Sequence, residues 1–287
     1  MITKMDYITL NNGMKMPKLG IGTYMLSPKE AESSVLAALK AGYRHIDTAN
    51  AYLNERAVGR AIRKSGVARE EIFLVTKLFP NTYKNASAQI DRTLKMLQVS
   101  YIDLLLLHQP YGKVETVWKA CEAAVSSGTV KAIGVCNFTE KDMDRLLAYA
   151  RIKPVLMQNE SHPYHSDKQI ADKYARYGIR LEAWYPLGHG NQGLLQEPVF
   201  RKLADKYHKS TVQIILRWHM QMDHIAIPGS KNPEHIKSNA DIFDFRLTDS
   251  EMKEIGALDG KKKFFHMPAI LGNLVFPNVK FNYEGQE

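Results

Sequence analysis

The 287-residue chain predicts an α/β fold, an eight-stranded parallel (β/α)8 TIM barrel, and three observations carry that expectation. Eight short runs rich in β-branched residues and leucine alternate with longer helical patterns: KLGIGTY, RHIDT, IFLVTK, YIDLLLLH, KAIGVCNF, PVLMQNE, IRLEAWYP and HIAIPGS. Their C-terminal ends fall near residues 24, 48, 77, 108, 137, 159, 185 and 229. Most spacings are therefore about 30 residues, room for one strand, one helix and two loops. The runs also lack the alternation of a half-exposed sheet, which points to parallel strands covered by helices. A doubly wound sheet shares these features, but the Gly-rich turn of its dinucleotide-binding form is missing. GIGTYM has two glycines, places Met25 third and opens no helix.

Taken in order, YITLNNGMKMPKLG reads as a hairpin turning at Asn12-Gly13 and plugging one end of the barrel. SPKEAESSVLAALKAG offers Ser27 as N-cap, Pro28 at the first helical position and Glu30 three residues after the cap. Ala31, Val35 and Leu39 form its apolar face, and Gly42 stops it. Asn54 and Glu55 read as the cap and first turn of the next helix. Two later helices, NASAQIDRTLKMLQ and TEKDMDRLLAYA, carry Ile90, Leu94 and Leu97, and Met143, Leu146 and Leu147, on their apolar faces. After Asp259 the pattern gives way to a tail rich in Lys, Phe, Pro and Asn, expected to wrap the barrel and edge a pocket. No Gly/Ser linker or low-complexity tract interrupts the chain, so residues 1–287 are read as one domain.

A formal charge of +9 would suit nucleic acid, a membrane surface or a small anion. Basic residues are interspersed with acidic ones, and the one dense cluster, GKKKFF, lies in the tail, so neither nucleic acid nor membrane is expected as a partner. YIDLLLLH, the longest apolar run, is far short of the roughly 20 residues that span a bilayer, and no basic-plus-apolar leader opens the sequence. Cys121 and Cys136 lie on a helix face and in a strand, in a chain large enough to need no disulfide. These features predict a cytoplasmic protein, and the absence of an exposed heptad stripe predicts a monomer.

In a parallel barrel all strands end at one rim, so polar groups at successive strand ends converge. Collected in this way are Asp47, Lys77, His108, Asn137 and Gln158, with Tyr52 in the loop after Asp47. A lysine directly after a buried run is costly unless paired, and Asp47 is its nearest partner by strand order. A structural ion pair with a backbone-satisfied histidine would explain any one of these residues, but not their gathering at one rim.

Together, GYRHIDTANAYLNE, LVTK, LLLLHQP, GVCNF, QNE and IPGSKNPEHIKSN resemble the aldo-keto reductase family, in the same order over roughly residues 8 to 260. HQP after the fourth strand is similar to the prokaryotic 2,5-diketogluconate and methylglyoxal reductase group. The resemblance implies NAD(P)H-dependent reduction of small aldehydes and ketones, without a metal, by Asp47, Tyr52, Lys77 and His108. Reduction turns a carbonyl oxygen into an alkoxide that needs a proton. Tyr52 would give it, Lys77 would stabilise the tyrosinate, Asp47 would hold Lys77, and His108 would orient the substrate. Cofactor contacts are implied at Gly22, Thr23, Tyr24, Asp47, Asn137, Gln158, Trp184, Leu187, Gly188, Ser230, Lys231, Asn232, His235 and Asn239.

Three departures stand out. Cys136 replaces a usual serine and is a poor donor. Trp184 stands where a tyrosine usually stacks on the nicotinamide. Gly229 and His235 occupy positions where NADP(H)-preferring members carry lysine and arginine. NADP(H) is still favoured over NAD(H), with Lys231 and the helix start near Asn232 as partial replacements. Tyr24, His108, Gln109 and Tyr111 are the expected substrate contacts, polar enough to suit 2-oxoaldehydes or keto-sugars.

Alternative readings are an oxidative alcohol or sugar dehydrogenase using the same site and a non-catalytic nicotinamide-binding protein. A metal hydrolase built on His45, His108, His162 and His165 is a third; His45 is otherwise read as structural.

Overall fold

The structure, a computed structural model, describes residues 5–286. Strands β1 (Tyr7–Thr9) and β2 (Lys15–Pro17) form the N-terminal antiparallel hairpin. There follow β3 (Ile21–Gly22), α1 (Pro28–Ala41), β4 (His45–Asp47), α2 (Glu55–Lys64), β5 (Phe73–Leu78), α3 (Ala86–Leu97), β6 (Ile102–Leu107) and α4 (Val114–Ser126). Next come β7 (Val130–Cys136), α5 (Glu140–Leu147), β8 (Leu156–Glu160), α6 (Lys168–Ala175) and β9 (Arg180–Trp184). The chain continues through α7 (Gln192–Leu195), α8 (Pro198–Tyr207), α9 (Thr211–Gln221), β10 (Ile225–Ala226), α10 (Pro233–Asn239), α11 (Asp249–Gly256) and α12 (Ala269–Val275).

Strands β3 to β10 pair in chain order, each parallel to the next. A parallel bridge between Leu19 and Ala226 joins the two edges, with Ala226 N–H donating to Lys18 O at 2.8 Å and Gly20 N–H to Ala226 O at 2.9 Å. Closure leaves no open edge, and it is why every strand end reaches one rim. The long interval before the last strand is filled by α7 and α8, an extra helical excursion between β9 and α9.

Local signals act as the sequence predicts at α1. Ser27 accepts from Glu30 N–H while the Glu30 carboxylate accepts from Ser27 N–H, and Gly42 closes the helix in the left-handed region at φ 104°. The hairpin turns at Gly13, and its Ile8, Leu10 and Met16 pack with Phe73, Val75, Leu104 and Leu106, filling the barrel floor away from the rim. Between barrel and helices lie two larger cores, one around Trp118 and Phe138, the other around Tyr43 and Ile46. The tail is more ordered in form than a featureless wrap. It carries α12 and is pinned at Phe264 and Phe265, whose N–H groups donate to the Glu160 carboxylate at 2.6 and 2.8 Å. Lys261, Lys262 and Lys263 are exposed, as expected of a solvated cluster. Among the described residues no helix is long and apolar enough to cross a membrane.

Helices α2 and α3 meet at Gly59, where an added Cβ would sit 2.1 Å from Leu97 O. Backbone cannot yield as a side-chain tip can, so the gain of about 1 kcal/mol from replacing a helical glycine is outweighed by overpacking of about 3 kcal/mol. Gly59→Ala is expected to lower the urea midpoint; an unchanged or raised midpoint would contradict this contact.

Candidate active site

Asp47 ends β4 and Lys77 lies one residue from the end of β5, two neighbouring parallel strands. Both side chains are buried, Lys77 wholly so, and Lys77 Nζ donates to Asp47 Oδ1 at 2.5 Å and to Thr48 O at 3.0 Å. Its third neighbour is the Tyr52 hydroxyl at 3.4 Å. The Tyr52 ring lies edge-on to that of His108, 5.6 Å between centroids at 79°, and 5.1 Å from that of Tyr24. Phe79, which follows β5, stands edge-on to His108 at 5.4 Å.

The loop after β4 reaches this geometry through its other polar side chains. Thr48 N–H continues the sheet by donating to Val75 O, and Asn50 Oδ1 accepts from Phe79 N–H at 3.2 Å. Asn54 starts α2 but does not cap it with its side chain. Its carbonyl accepts from Thr48 Oγ1, and its amide donates to Thr23 O and Leu26 O at 3.0 and 3.1 Å, so it ties two rim loops together. Glu55 stands in the first turn of α2, as expected. It is fully buried, accepts from the hydroxyls of Thr76 and Thr93, and is pushed up to about 7 by burial.

The rim's electrostatics follow from one cation in a dry place. Burial opposes the charge on Lys77, but Asp47 and Tyr52 outweigh it and hold the ammonium above the ordinary lysine range. Tyr52 is raised by burial, with Lys77 as the largest opposing influence, so it is a protonated phenol facing an ammonium. Burial and Lys77 hold His108 well below the usual histidine value, which leaves it a neutral imidazole.

A cavity of about 810 Å³ opens here, lined by twelve of the residues singled out in the sequence: Gly22, Tyr24, Asp47, Tyr52, His108, Gln109, Asn137, Gln158, Trp184, Leu187, Ser230 and Lys231. Its floor brings bare backbone together: a Cβ on Gly22 would meet Ile227 O at 2.9 Å, and one on Gly229 would meet Gly22 O at 3.1 Å. Asn137 donates to His108 O and Cys136 Sγ at 3.1 and 3.2 Å, and Cys136 donates to Gln158 Oε1 at 3.4 Å. Gln158 Nε2 is held by Asp47 and Glu182 at 2.9 and 2.7 Å. Both amide NH₂ groups are therefore committed within the protein.

The remaining assignments lie outside the cavity lining. Lys77 sits behind it. Thr23 is buried, its hydroxyl on Asp47 O at 3.1 Å. Gly188 is buried against Leu194 and Phe264. Tyr111 is turned aside by the tail, packing on Phe276 and donating to Met267 O, and lines a neighbouring cavity of about 1000 Å³. Asn232, His235 and Asn239 lie at the start and within α10; the Asn232 side chain caps Glu234 N–H. Phe79, Phe265, Met267, Phe276 and Phe281 form a wall; the sequence reading expected the tail to edge a pocket but named none of these side chains. Four of these five belong to the tail, where nothing in the sequence fixes position. Glu182 was missed too, although an acid inside RLEAW was a visible signal.

The four histidines of the metal reading do not gather. His45 is deep in the barrel beside Glu182, His108 is at the rim, and His162 bonds Glu160 at 3.0 Å. Among the described residues no three His, Cys, Asp or Glu side chains are placed to hold an ion.

The model of the Aldo/keto reductase family matches residues 18–259. Morphine 6-dehydrogenase of Pseudomonas putida is 42% identical over 275 residues, covering 90% of this chain and 93% of that protein. Methylglyoxal reductase DkgA of Escherichia coli K12 is 40% identical over 259 residues, covering 89% and 94%. Among solved structures, a Bombyx mori aldo-keto reductase in complex with NADP superposes with a TM-score of 0.85 at 32% identity, covering 91% of this chain and 95% of that one.

Glu55 gives a stability signature at this site. The folded protein keeps its proton up to about pH 7 and the unfolded chain releases it near 4.5, so stability falls as pH rises through that window. The fall from this one group is about 3 kcal/mol. Glu55→Gln is expected to flatten urea-derived stability across the window, and an unaltered slope would remove Glu55 as its source.

Proposed function

The chain belongs to the aldo/keto reductase family and is an oxidoreductase acting on carbonyl groups, and from that premise we propose that it reduces small aldehydes and ketones with NAD(P)H, Tyr52 giving the proton. The observation that carries the proposal is the buried line Asp47, Lys77, Tyr52, closed by a neutral His108 at the cavity wall.

A bound nicotinamide would supply hydride to the carbonyl carbon, and the protein's own task is the oxygen. The Tyr52 hydroxyl is the acid within reach of a substrate in the cavity. In the resting site its proton is held firmly, because burial disfavours the phenolate. Lys77 offsets this at the moment of transfer: its charge stands 3.4 Å from the hydroxyl oxygen that becomes negative. Asp47 keeps that charge in place. His108, neutral, donates to the same substrate oxygen, and Phe79 and Tyr24 keep water from the pair.

The residues present fit the cofactor. With their NH₂ groups committed, Asn137 keeps its amide oxygen and Gln158 the second lone pair of an oxygen already shared with Cys136 to accept from a carboxamide, and Trp184 offers a flat face beside them. The bare backbone at Gly22 and Gly229 gives room for a pyrophosphate and ribose, and Ser230 and Lys231 stand at the far end of the cavity. NADP(H) is favoured, in line with the NADP-bound structural relative, but with weak discrimination. Lys231 is already paired across the groove with Glu30 at 3.3 Å, and Gly229 and His235 provide no fixed charge.

Gln109 and Tyr24, polar groups on an otherwise largely aromatic wall, favour compact, oxygen-rich carbonyls such as 2-oxoaldehydes and keto-sugars, matching the methylglyoxal reductases among the relatives. Oxidation of an alcohol is the second reading, favoured by the similarity to a morphine dehydrogenase, since the same tyrosine returns the proton in reverse. Two buried free thiols, Cys121 and Cys136, suit a monomer working in a reducing cytoplasm.

Tyr52→Phe is expected to lower kcat for methylglyoxal at least about a hundredfold while NADPH still quenches tryptophan fluorescence as in the unaltered protein. Retained kcat would overturn the assignment. For the cofactor, the expected kcat/KM preference for NADPH over NADH is below about a hundredfold, because charge-assisted hydrogen bonds worth about 1.5–3 kcal/mol each are absent. A stronger preference would mean that Lys231 leaves Glu30 for the 2′-phosphate.

A further inference from the structure

Behind the proposed catalytic residues lies a second carboxylate that the reaction does not use. Glu182, on β9, is fully buried in register with Gln158 on β8. Its Oε2 accepts from Gln158 Nε2 at 2.7 Å, and the same nitrogen donates to Asp47 Oδ2 at 2.9 Å. Its Oε1 lies 3.2 Å from His45 Nε2, on a ring that is also fully buried and pressed against Gly20. His45 Nε2 and Glu182 Oε1 are a close pair, each buried without a hydrogen-bond partner of its own, and from Glu182 a hydrogen-bonded line runs through Gln158, Asp47 and Lys77 to Tyr52.

The charges facing Glu182 come from every neighbouring strand. β4 contributes His45 and Asp47, β5 Lys77, β7 Cys136 and β8 Gln158, while β10 places apolar Ile225 opposite it. Two carboxylates therefore share one ammonium in a water-free interior, and ionising both would leave one negative charge uncompensated. One additional proton between Glu182 and His45 restores neutrality, whether it resides on the acid or on the ring.

We propose that His45 and Glu182 are positioning residues that hold one shared proton beneath the active site. In that state Glu182 fixes the Gln158 amide, and its oxygen's direction, without drawing the charge of Lys77 away from Tyr52. Loss of the proton to solvent at alkaline pH adds a second carboxylate charge next to Asp47. That charge makes Tyr52 harder to ionise and so a poorer donor, and it loosens the amide that would face a cofactor carboxamide. The order of affinities agrees: burial and Asp47 push Glu182 up to about 8, and burial pulls His45 down to about 3, which places the proton on Glu182. This inference rests on the carbonyl-reducing function proposed above.

Glu182→Gln tests it, because the amide can still accept from Gln158 and donate to His45 but cannot ionise. Three readouts are taken across pH: kcat/KM for methylglyoxal with NADPH, NADPH binding by fluorescence quenching, and the infrared carbonyl band of protonated carboxyl groups in the protein alone. In the unaltered protein the band and the binding should decline together as pH rises through about 8. In Glu182→Gln that part of the band should be missing, neutral-pH kcat should stay within about threefold, and the alkaline limb should move up by about one pH unit or more, a tenfold change in proton affinity per unit. His45→Gln, which gives the Glu182 carboxylate a hydrogen-bond donor, should move the limb the opposite way. A limb and binding curve unchanged in Glu182→Gln would overturn the proposal, as would a carboxyl band that does not titrate through about 8 when read in Glu55→Gln, which removes the Glu55 contribution near pH 7. Failure of the underlying reading looks different, namely no turnover of any carbonyl by the unaltered protein or full turnover by Tyr52→Phe.

Discussion

An ammonium with no access to water is the constraint from which the rest of this site follows. Lys77 can stay charged only because Asp47 meets it at 2.5 Å and Thr48 offers a carbonyl. Those partners exist only because β4 and β5 are parallel neighbours, with Asp47 opposite Val75 and Lys77 two residues further along β5. With the cation fixed, nearby groups are constrained in turn: the imidazole of His108 is held neutral, and the phenol of Tyr52 keeps its proton until charge develops on it. A buried pair of this kind adds little to stability by itself. In the proposed reaction its value is a preorganised charge that needs no rearrangement when an oxyanion forms.

The proposed function divides chemistry and selectivity between different parts of the molecule. The proposed proton donor Tyr52 and its supports sit on strand ends and on a loop laced by Asn50 and Asn54, a rigid arrangement with few degrees of freedom. The wall facing a substrate comes largely from the tail, held through Glu160 to the backbone of Phe264 and Phe265. Beyond that anchor, α12 exposes Ile270 and Leu274 at 88% and 67%. The tail is therefore free to vary in shape without disturbing the line Asp47, Lys77, Tyr52.

Legibility in the sequence followed the range of the interaction involved. The eight strand ends were readable because helix stops, caps and apolar runs are local signals; the largest difference is three residues, Ala226 against the expected 229. Asp47, Lys77 and His108 were readable as costly polar residues closing apolar runs. Asn54 and Glu55 do stand at the cap position and first turn of α2 as read, but their residue types did not show that their side chains serve the interior. Only the packing of α2 against β5 and α3 shows that Glu55 faces inward to Thr76 and Thr93. Tyr111, expected beside the substrate, is diverted by Met267 and Phe276, more than 150 residues away in the chain.

The sequence by itself determined the barrel, its rim and the identity of the groups that gather there, since strand period and the expense of burying charge are written residue by residue. Tertiary structure decided which oxygen each donor reaches, how the tail roofs the cavity, and that Glu182 and His45 stand behind Gln158. These depend on distances between segments far apart in the chain, which closure of the barrel sets and no local pattern encodes.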